Sequence, residues 1–527
     1  MIGLAKNKSI NSWFVLLLCA VSLLLSGIGQ TKTYFLWDSH DMFELFETYE
    51  VNDLTNIELL SLSGHVSYSF TFLGFLLTRI FHSALTAQAV YGKLLLVVAI
   101  YGFWKLIDFV LNDQPLYLKV LLCTVYGFSP YLCGMSTYSY LDFAVWCILP
   151  LLTYELYAAH SLLHAGLVAV YFVFLKETAV ITYFSLVAGI YAVECFEKKK
   201  ILFRSFRYAV YVLPCILWSL AYFFVGHWQG GGFFGIDFQY ILSKTKAYLF
   251  VNFNWFFLLL SALVLFRLVQ NRKYAHYLKY YIPTLFSCIC YYLFSILFIT
   301  VNHPRYIDGM ISQIYFLASF FPVVCLSKQC GKSALLIAEA GGMILSCYLT
   351  VDPMMYLCFE KVNVGTAAMI TTSQVLSDGM VYNRQYQSFG YATDLAFEEI
   401  CEDSRNIIYI PAGNEACSWF FDAMGFYRSL SLADETEYVK QEPWDQSENT
   451  RMTSRNNAEN ICFDVHIIRN DHLIELRNDQ TGYFVYMGCY GQEKAEDIKR
   501  TMKILAEDEF EHNGWIVKRI AFRMPET

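Results

Sequence analysis

Three short charged motifs stand out in an otherwise apolar chain. Trp37-Asp38-Ser39-His40-Asp41 follows the first long apolar run. Two carboxylates three positions apart can share one face of a short helix or bracket a metal ion. A carboxylate partly screened from water also makes a general base, because desolvation raises its pKa toward the working range. Asp38 and Asp41 are therefore candidate catalytic groups. Ordinary solvated acids are the competing reading, since Glu44, Glu47, Glu50 and Asp53 follow closely. The second motif is Lys176-Glu177, set inside a long apolar stretch. Ionisable groups at membrane depth are costly and mark a functional site by default; a turn at the membrane interface is the alternative. The third is Asn302-His303-Pro304-Arg305-Tyr306 between two apolar runs. An Arg there offers a planar bidentate fork to a phosphate, or else it anchors the interface beside Tyr306. His65 sits at the end of the first polar loop, and a Gly-rich segment after His227 has the composition of a mobile loop.

The elements that must position these groups are helices. Apolar runs of roughly 17–25 residues are long enough to cross a bilayer core, and a helix satisfies its own backbone hydrogen bonds there. The first run is Trp13 to Ile28, after Lys6 and Lys8. A signal peptide is the alternative, but no small-residue cleavage site follows. Further spans are expected near 66–81, 84–104, 116–134, 140–158, 162–195, 207–226, 246–267, 280–301, 309–326 and 333–351. The total is about 10–12 spans. Basic clusters at Lys198–Arg207, Arg267–Lys273 and Lys328–Lys332 read as cytoplasmic. Alternation then places 30–64, Asn302–Tyr306 and the C-terminal region outside. It also forces 162–195 to be one crossing with a break, or to include a half-helix.

Composition limits the functional classes. Hydrophobic residues make up 56% of the chain and charged residues 16%, well below the charged share of a soluble domain. The net charge of −8 is uneven: from Asp352 onward 29 acidic residues face 16 basic ones. An acidic C-terminal region argues against nucleic acid as a partner. Most of the 16 cysteines lie in apolar runs, where they act as small hydrophobes, and no Cys/His spacing suits zinc. The expected fold class is a polytopic α-helical membrane bundle over 1–353, with a first outer loop at 30–64. A soluble α/β or α+β domain over 354–527 follows. In that domain Asn406–Pro411, Ile461–Ile468, His472–Arg477, Gly482–Gly488 and Trp515–Phe522 read as strands. Glu493–Glu507 has helical spacing, and Asp434–Asn457 reads as an exposed loop.

The order of the motifs resembles the GT-C superfamily of membrane glycosyltransferases, in the group that includes protein O-mannosyltransferases and the aminoarabinose transferase of lipid A. The resemblance rests on Asp38 to Asp41 after the first span, His65 entering the second, Ser129-Pro130, Lys176-Glu177-Thr178, and Arg305-Tyr306. It covers about residues 10–330. Members often carry His-Pro-Pro where this chain has Gly64-His65-Val66, and Asp-Glu where it has Asp38-Ser39-His40-Asp41. The resemblance implies a GT-C-like bundle in which Asp38, or less favourably Asp41, is the catalytic acid. It implies that Arg305 and Lys176 bind the donor phosphate, with His65, Glu177 and Tyr306 supporting. The donor it implies is a sugar on a polyprenyl phosphate held at the lipid boundary. The acceptor would be a glycan, lipid or protein. Some relatives use a divalent metal, for which Asp38, His40 and Asp41 carry suitable donor atoms, although their spacing is not diagnostic.

The expected activity is inverting sugar transfer at the outer face of the plasma membrane by a multi-pass protein whose C-terminal domain is extracytoplasmic. Two other classes compete. A transporter of a lipid-linked precursor would show internal repeats, and none is seen. A non-catalytic membrane scaffold would have lost the acid that Asp38 supplies.

Overall fold

The computed structural model describes residues 13–23, 65–128, 141–199, 206–225, 254–298, 308–325, 405–411, 436–440, 450–456, 460–468, 481–487, 491–512 and 515–525, with a few isolated positions between them. The chain divides into two compact units, one holding the helices up to Val324 and the other the sheet from Asn406.

The helical unit contains α1 (Trp13–Leu23), α2 (Tyr68–Phe81), α3 (Ala84–Val110), α4 (Leu116–Gly127), α5 (Leu141–Ala158), α6 (Leu162–Val173), α7 (Glu177–Lys198), α8 (Phe206–Val225), α9 (Asn254–Gln270), α10 (Leu278–Phe298), α11 (Asp308–Ala318) and the single turn α12 (Phe321–Val324). By length and composition α5, α7, α8 and the segment Arg272–Phe298 are each able to cross a membrane. A large apolar surface faces outward, with Phe206, Phe223 and Phe224 of α8 each at least 74% exposed. In water that surface would be severely unfavourable; in lipid it is the expected exterior.

Inside the bundle the helices meet through small and hydroxyl residues, as expected where lipid removes the hydrophobic drive for association. A Cβ on Gly189 would stand 2.7 Å from the Cα of Pro283, and one on Gly102 would stand 2.6 Å from the backbone nitrogen of Leu151. Ser185 donates to Ser287 at 3.0 Å, Ser287 donates to the Thr182 carbonyl at 2.9 Å, and Gln313 donates to Ser287 at 2.8 Å. These bonds tie α7, α10 and α11 together.

Two sets of contacts fix the directions of the central helices. At one end Lys176, just before α7, pairs with Asp142 in the first turn of α5. At the other end Arg207 pairs with Glu194 of α7 and donates to the Leu156 carbonyl of α5. Therefore α5 and α7 run parallel, and α6 returns between them in the opposite sense. The stretch 162–195 is thus two antiparallel helices rather than one broken crossing: α7 is long enough to span a membrane, while α6, at 12 residues, has the length of the half-helix that the alternative reading included. The break falls at Phe174–Lys176, where Leu175 N–H bonds to the Phe172 carbonyl at 3.1 Å.

The segment 66–81 also differs from expectation. Ser69 N–H donates to the Phe174 carbonyl at 3.1 Å, so α2 starts at the Lys176 end. It finishes two residues before α3, and Tyr91 near the start of α3 meets Tyr171 at 3.2 Å. The far end of α3 reaches Tyr154 and His160 through Phe109. Both ends of α2 therefore lie at one end of the bundle, and α2 is not a crossing. Its exposed residues Tyr68, Phe72, Leu76 and Ile80 recur every fourth position as one stripe.

The sheet unit has strands β3 (Asn406–Pro411), β4 (Thr436–Lys440), β5 (Thr450–Asn456), β6 (Asn460–Ile468), β7 (Thr481–Met487), β8 (Lys503–His512) and β9 (Trp515–Arg523), with α13 (Gln492–Thr501) between β7 and β8. A separate two-strand hairpin, β1 (Ser61–Leu62) and β2 (His65–Val66), precedes α2. The seven strands order as β4-β5-β6-β3-β7-β9-β8. β3 is parallel to β6 and β7, and the remaining pairs are antiparallel. One face buries Ile407, Tyr409, Phe484, Ile520 and Phe522 against Ala495 and Ile498 of α13. On the other face Arg519 is buried; it bonds Asp508 at 2.8 Å and the Ala396 carbonyl at 3.1 Å. Its guanidinium lies 4.7 Å from the Phe510 ring centre.

Three expectations change here. The helix over Glu493–Glu507 stops at Thr501, because Lys503–His512 pairs along β9. Part of the supposed loop Asp434–Asn457 forms β4 and β5. Ile474, Leu476 and Arg477, in the expected strand His472–Arg477, are irregular.

Candidate functional site

The ionisable centre of the helical unit is built where three chain segments meet. The sequence breaks the α6–α7 helix at Phe174–Lys176, and Lys176 adopts an extended backbone at the N-cap of α7. Ala179 N–H closes onto the Lys176 carbonyl at 3.0 Å, so the new helix begins directly after the lysine. The Lys176 ammonium donates to Asp142 Oδ1 at 2.5 Å. Their side chains are 5% and 2% exposed. Glu177 is the first residue of α7 and lies within electrostatic range of Tyr222 on α8.

The electrostatics of this corner are specific. The starts of α5 and α7 both point positive partial charge toward it. Asp142 and Glu177, each in a first turn, are favoured there. Lys176 is not, because a cation at a helix start opposes the dipole. Burial adds a desolvation cost of several kcal/mol per ion, on the order given for buried pairs. The 2.5 Å contact to Asp142 works against both terms.

Nearby polar groups extend the corner. Tyr91 and Tyr171 share a hydroxyl contact at 3.2 Å, and Lys93 reaches Ser136 at 3.5 Å. Ser67 and Thr71 are buried at the start of α2, their hydroxyls 3.4 Å apart. Gln88 on α3 is fully buried, with no hydrogen-bond partner for either side-chain polar atom.

Of the residues singled out from sequence, Lys176 and Glu177 fall in this centre. The backbone of His65 pairs with Leu62 in the hairpin before α2. Asp38, His40, Asp41, Arg305 and Tyr306 lie outside the described residues, as does the segment after His227. Among the described residues no group of three or more His, Cys, Asp or Glu stands together as a metal site.

Asp142 was missed, although a signal for it existed. It is the only acidic residue between Asp113 and Glu155, just as Lys176 is the only Lys or Arg between Lys119 and Lys198. An isolated acid and an isolated base in adjoining apolar stretches are natural partners, since neither is stable alone at that depth.

No family model matches the chain, and no curated protein matches it. Among solved structures, ArnT from Cupriavidus metallidurans bound to undecaprenyl phosphate is similar, with 11% identity over 97% of this chain and 98% of that one, at a TM-score of 0.48. The apo state of the same protein aligns with 12% identity over the same shares, at a TM-score of 0.46.

Proposed function

We propose that the chain is a membrane glycosyltransferase of the GT-C type, moving a sugar from a polyprenyl-phosphate donor to an acceptor at the outer face. The observation that carries this reading is the buried Lys176–Asp142 pair at the shared start of α5 and α7. It sets a fixed cation at one end of an apolar bundle, where a lipid-borne phosphate would arrive. The order of motifs from Asp38 to Arg305 supports the same reading.

In the proposed reaction the acceptor hydroxyl oxygen attacks the anomeric carbon from the face opposite the phosphate. The new carbon–oxygen bond forms as the bond to the phosphate oxygen breaks, so the configuration inverts. Asp38 takes the hydroxyl proton. The polyprenyl phosphate leaves with the bonding pair, and Arg305 with Lys176 stabilises the charge that develops on it. No covalent sugar–protein intermediate is involved. Asp41 and His40 flank the base, and His65, Glu177 and Tyr306 support the cavity. The C-terminal sheet unit lies outside the cytoplasm in this reading.

A positioned base contributes about 10²–10⁴-fold to such a step. Asp38→Asn keeps size and polarity but cannot take the proton. Transfer of a labelled sugar from lipid to acceptor, measured in membranes at matched protein level, should therefore fall by that order. Asp41→Asn should cost less. Loss in the Asp41 variant alone would move the assignment to Asp41, and wild-type turnover in both would overturn the reading.

A further inference from the structure

We propose that Asp142 is a positioning residue for the donor-phosphate site: its carboxylate holds the Lys176 ammonium, charged and fixed, where α5 and α7 begin. The inference rests on the glycosyltransferase reading and adds to it a residue that the sequence motifs do not contain.

The case starts from cost. A buried ion pair is a poor device for joining helices, because apolar residues of similar volume serve as well or better. Elsewhere this bundle joins helices through Ser185 and Ser287 between α7 and α10, or through Gly189 against Pro283, and its pairs Lys119–Asp108 and Arg207–Glu194 keep their carboxylates at least 21% exposed. At the α5–α7 corner it instead buries two full charges, 34 positions apart in the chain. The lysine also stands at a helix start, where the dipole opposes it. Stability alone does not call for this arrangement, whereas a requirement for a cation at that place does.

The second line is geometric. A lysine stem has four flexible carbons, so an unheld ammonium samples many positions. Here both ends of the side chain are fixed. The backbone is set by the turn at Phe174–Lys176, which is itself pinned by Ser69 N–H on the Phe174 carbonyl. The ammonium is set by Asp142 Oδ1. A buried ammonium without a counter-charge tends to give up its proton, and a neutral amine attracts phosphate poorly. Asp142 thus supplies both orientation and charge.

The test separates a structural role from a positioning one. The full-length protein, purified in lipid nanodiscs, is assayed for thermal stability and for affinity toward polyprenyl phosphate. Asp142→Leu removes the carboxylate that Lys176 contacts and should lower Tm. Adding Lys176→Met removes the buried ammonium as well and should restore Tm. If the pair serves the site, the restored double variant still binds polyprenyl phosphate about tenfold more weakly or worse, the loss of one charge-assisted contact. Asp142→Glu keeps the charge but moves it by one methylene; it should hold Tm near wild type and still weaken binding. Wild-type affinity in the double variant and in Asp142→Glu would make the pair purely structural and overturn the proposal. A wild-type protein that binds no polyprenyl phosphate would overturn the glycosyltransferase reading itself, and this inference with it.

Discussion

Lys176 and Asp142 show what isolation of a charge means in an apolar chain. Sequence reading found Lys176, because a Lys-Glu pair interrupts a hydrophobic run visibly. Asp142 is less conspicuous, a single acid beside clusters such as Asp38 and Asp41. Physical cost singles out Asp142, since a lone acid in an apolar helix gives up its hydration. The role of Arg305 can be probed at this scale. Arg305→Lys preserves the charge but loses the planar fork, which matters at a bidentate phosphate site. Donor affinity should fall in Arg305→Lys and fall further in Arg305→Ala, with expression and membrane insertion retained. Unchanged donor affinity in Arg305→Ala would reduce Arg305 to an interfacial anchor.

Elements were legible where periodicity and length agreed, and not where they conflicted. The run 66–81 is apolar enough to look like a span, but length alone cannot say where its ends go. Its first turn is bonded to Phe174 and its last leads straight into α3, and those tertiary facts decide. Glu493–Glu507 failed for a related reason. Its second half has alternating residues that a strand uses equally well, and pairing with Trp515–Arg523 is a long-range choice. Close approach of helices was invisible in sequence, yet it is testable. Gly189→Ala places a methyl 2.7 Å from the Pro283 Cα, and backbone cannot step aside as a side-chain tip can. Overpacking of this kind costs about 1–3 kcal/mol. Gly166→Ala, whose nearest neighbour is a Val210 methyl at 3.7 Å, is the control. The melting temperature of the purified protein should drop for Gly189→Ala and hold for Gly166→Ala; equal melting would mean that α7 and α10 separate more easily than their contact suggests.

At the scale of the whole molecule, two departures cancel. Reading 66–81 as a crossing adds one pass, and reading 162–195 as a single crossing removes one. The side expected for Lys198 is therefore unchanged, while the sides expected for His82, Asp113 and His160 are exchanged. A reporter at the C-terminus is blind to this difference. Reporters fused after His82, Asp113 and His160 are not. The directions of α3, α5 and α6 require Asp113 and His160 to share the side of Lys198, with His82 opposite. Finding His160 on the side of His82 would undo the parallel arrangement of α5 and α7, and with it the geometry of the candidate site.

The return helix α6 carries a further consequence. Its 12 residues measure ~18 Å at the rise of an α-helix, against a hydrocarbon core of about 30 Å. Leu163 and Leu167 on its outer surface are 69% and 61% exposed. The apolar wall that α6 offers is shorter than the two-leaflet hydrocarbon core, and such hydrophobic mismatch is relieved by thinning the bilayer locally, at fractions of a kcal/mol per Å. The acyl-chain length of the host membrane should therefore matter most on the flank formed by α6, the helix that leads into Lys176.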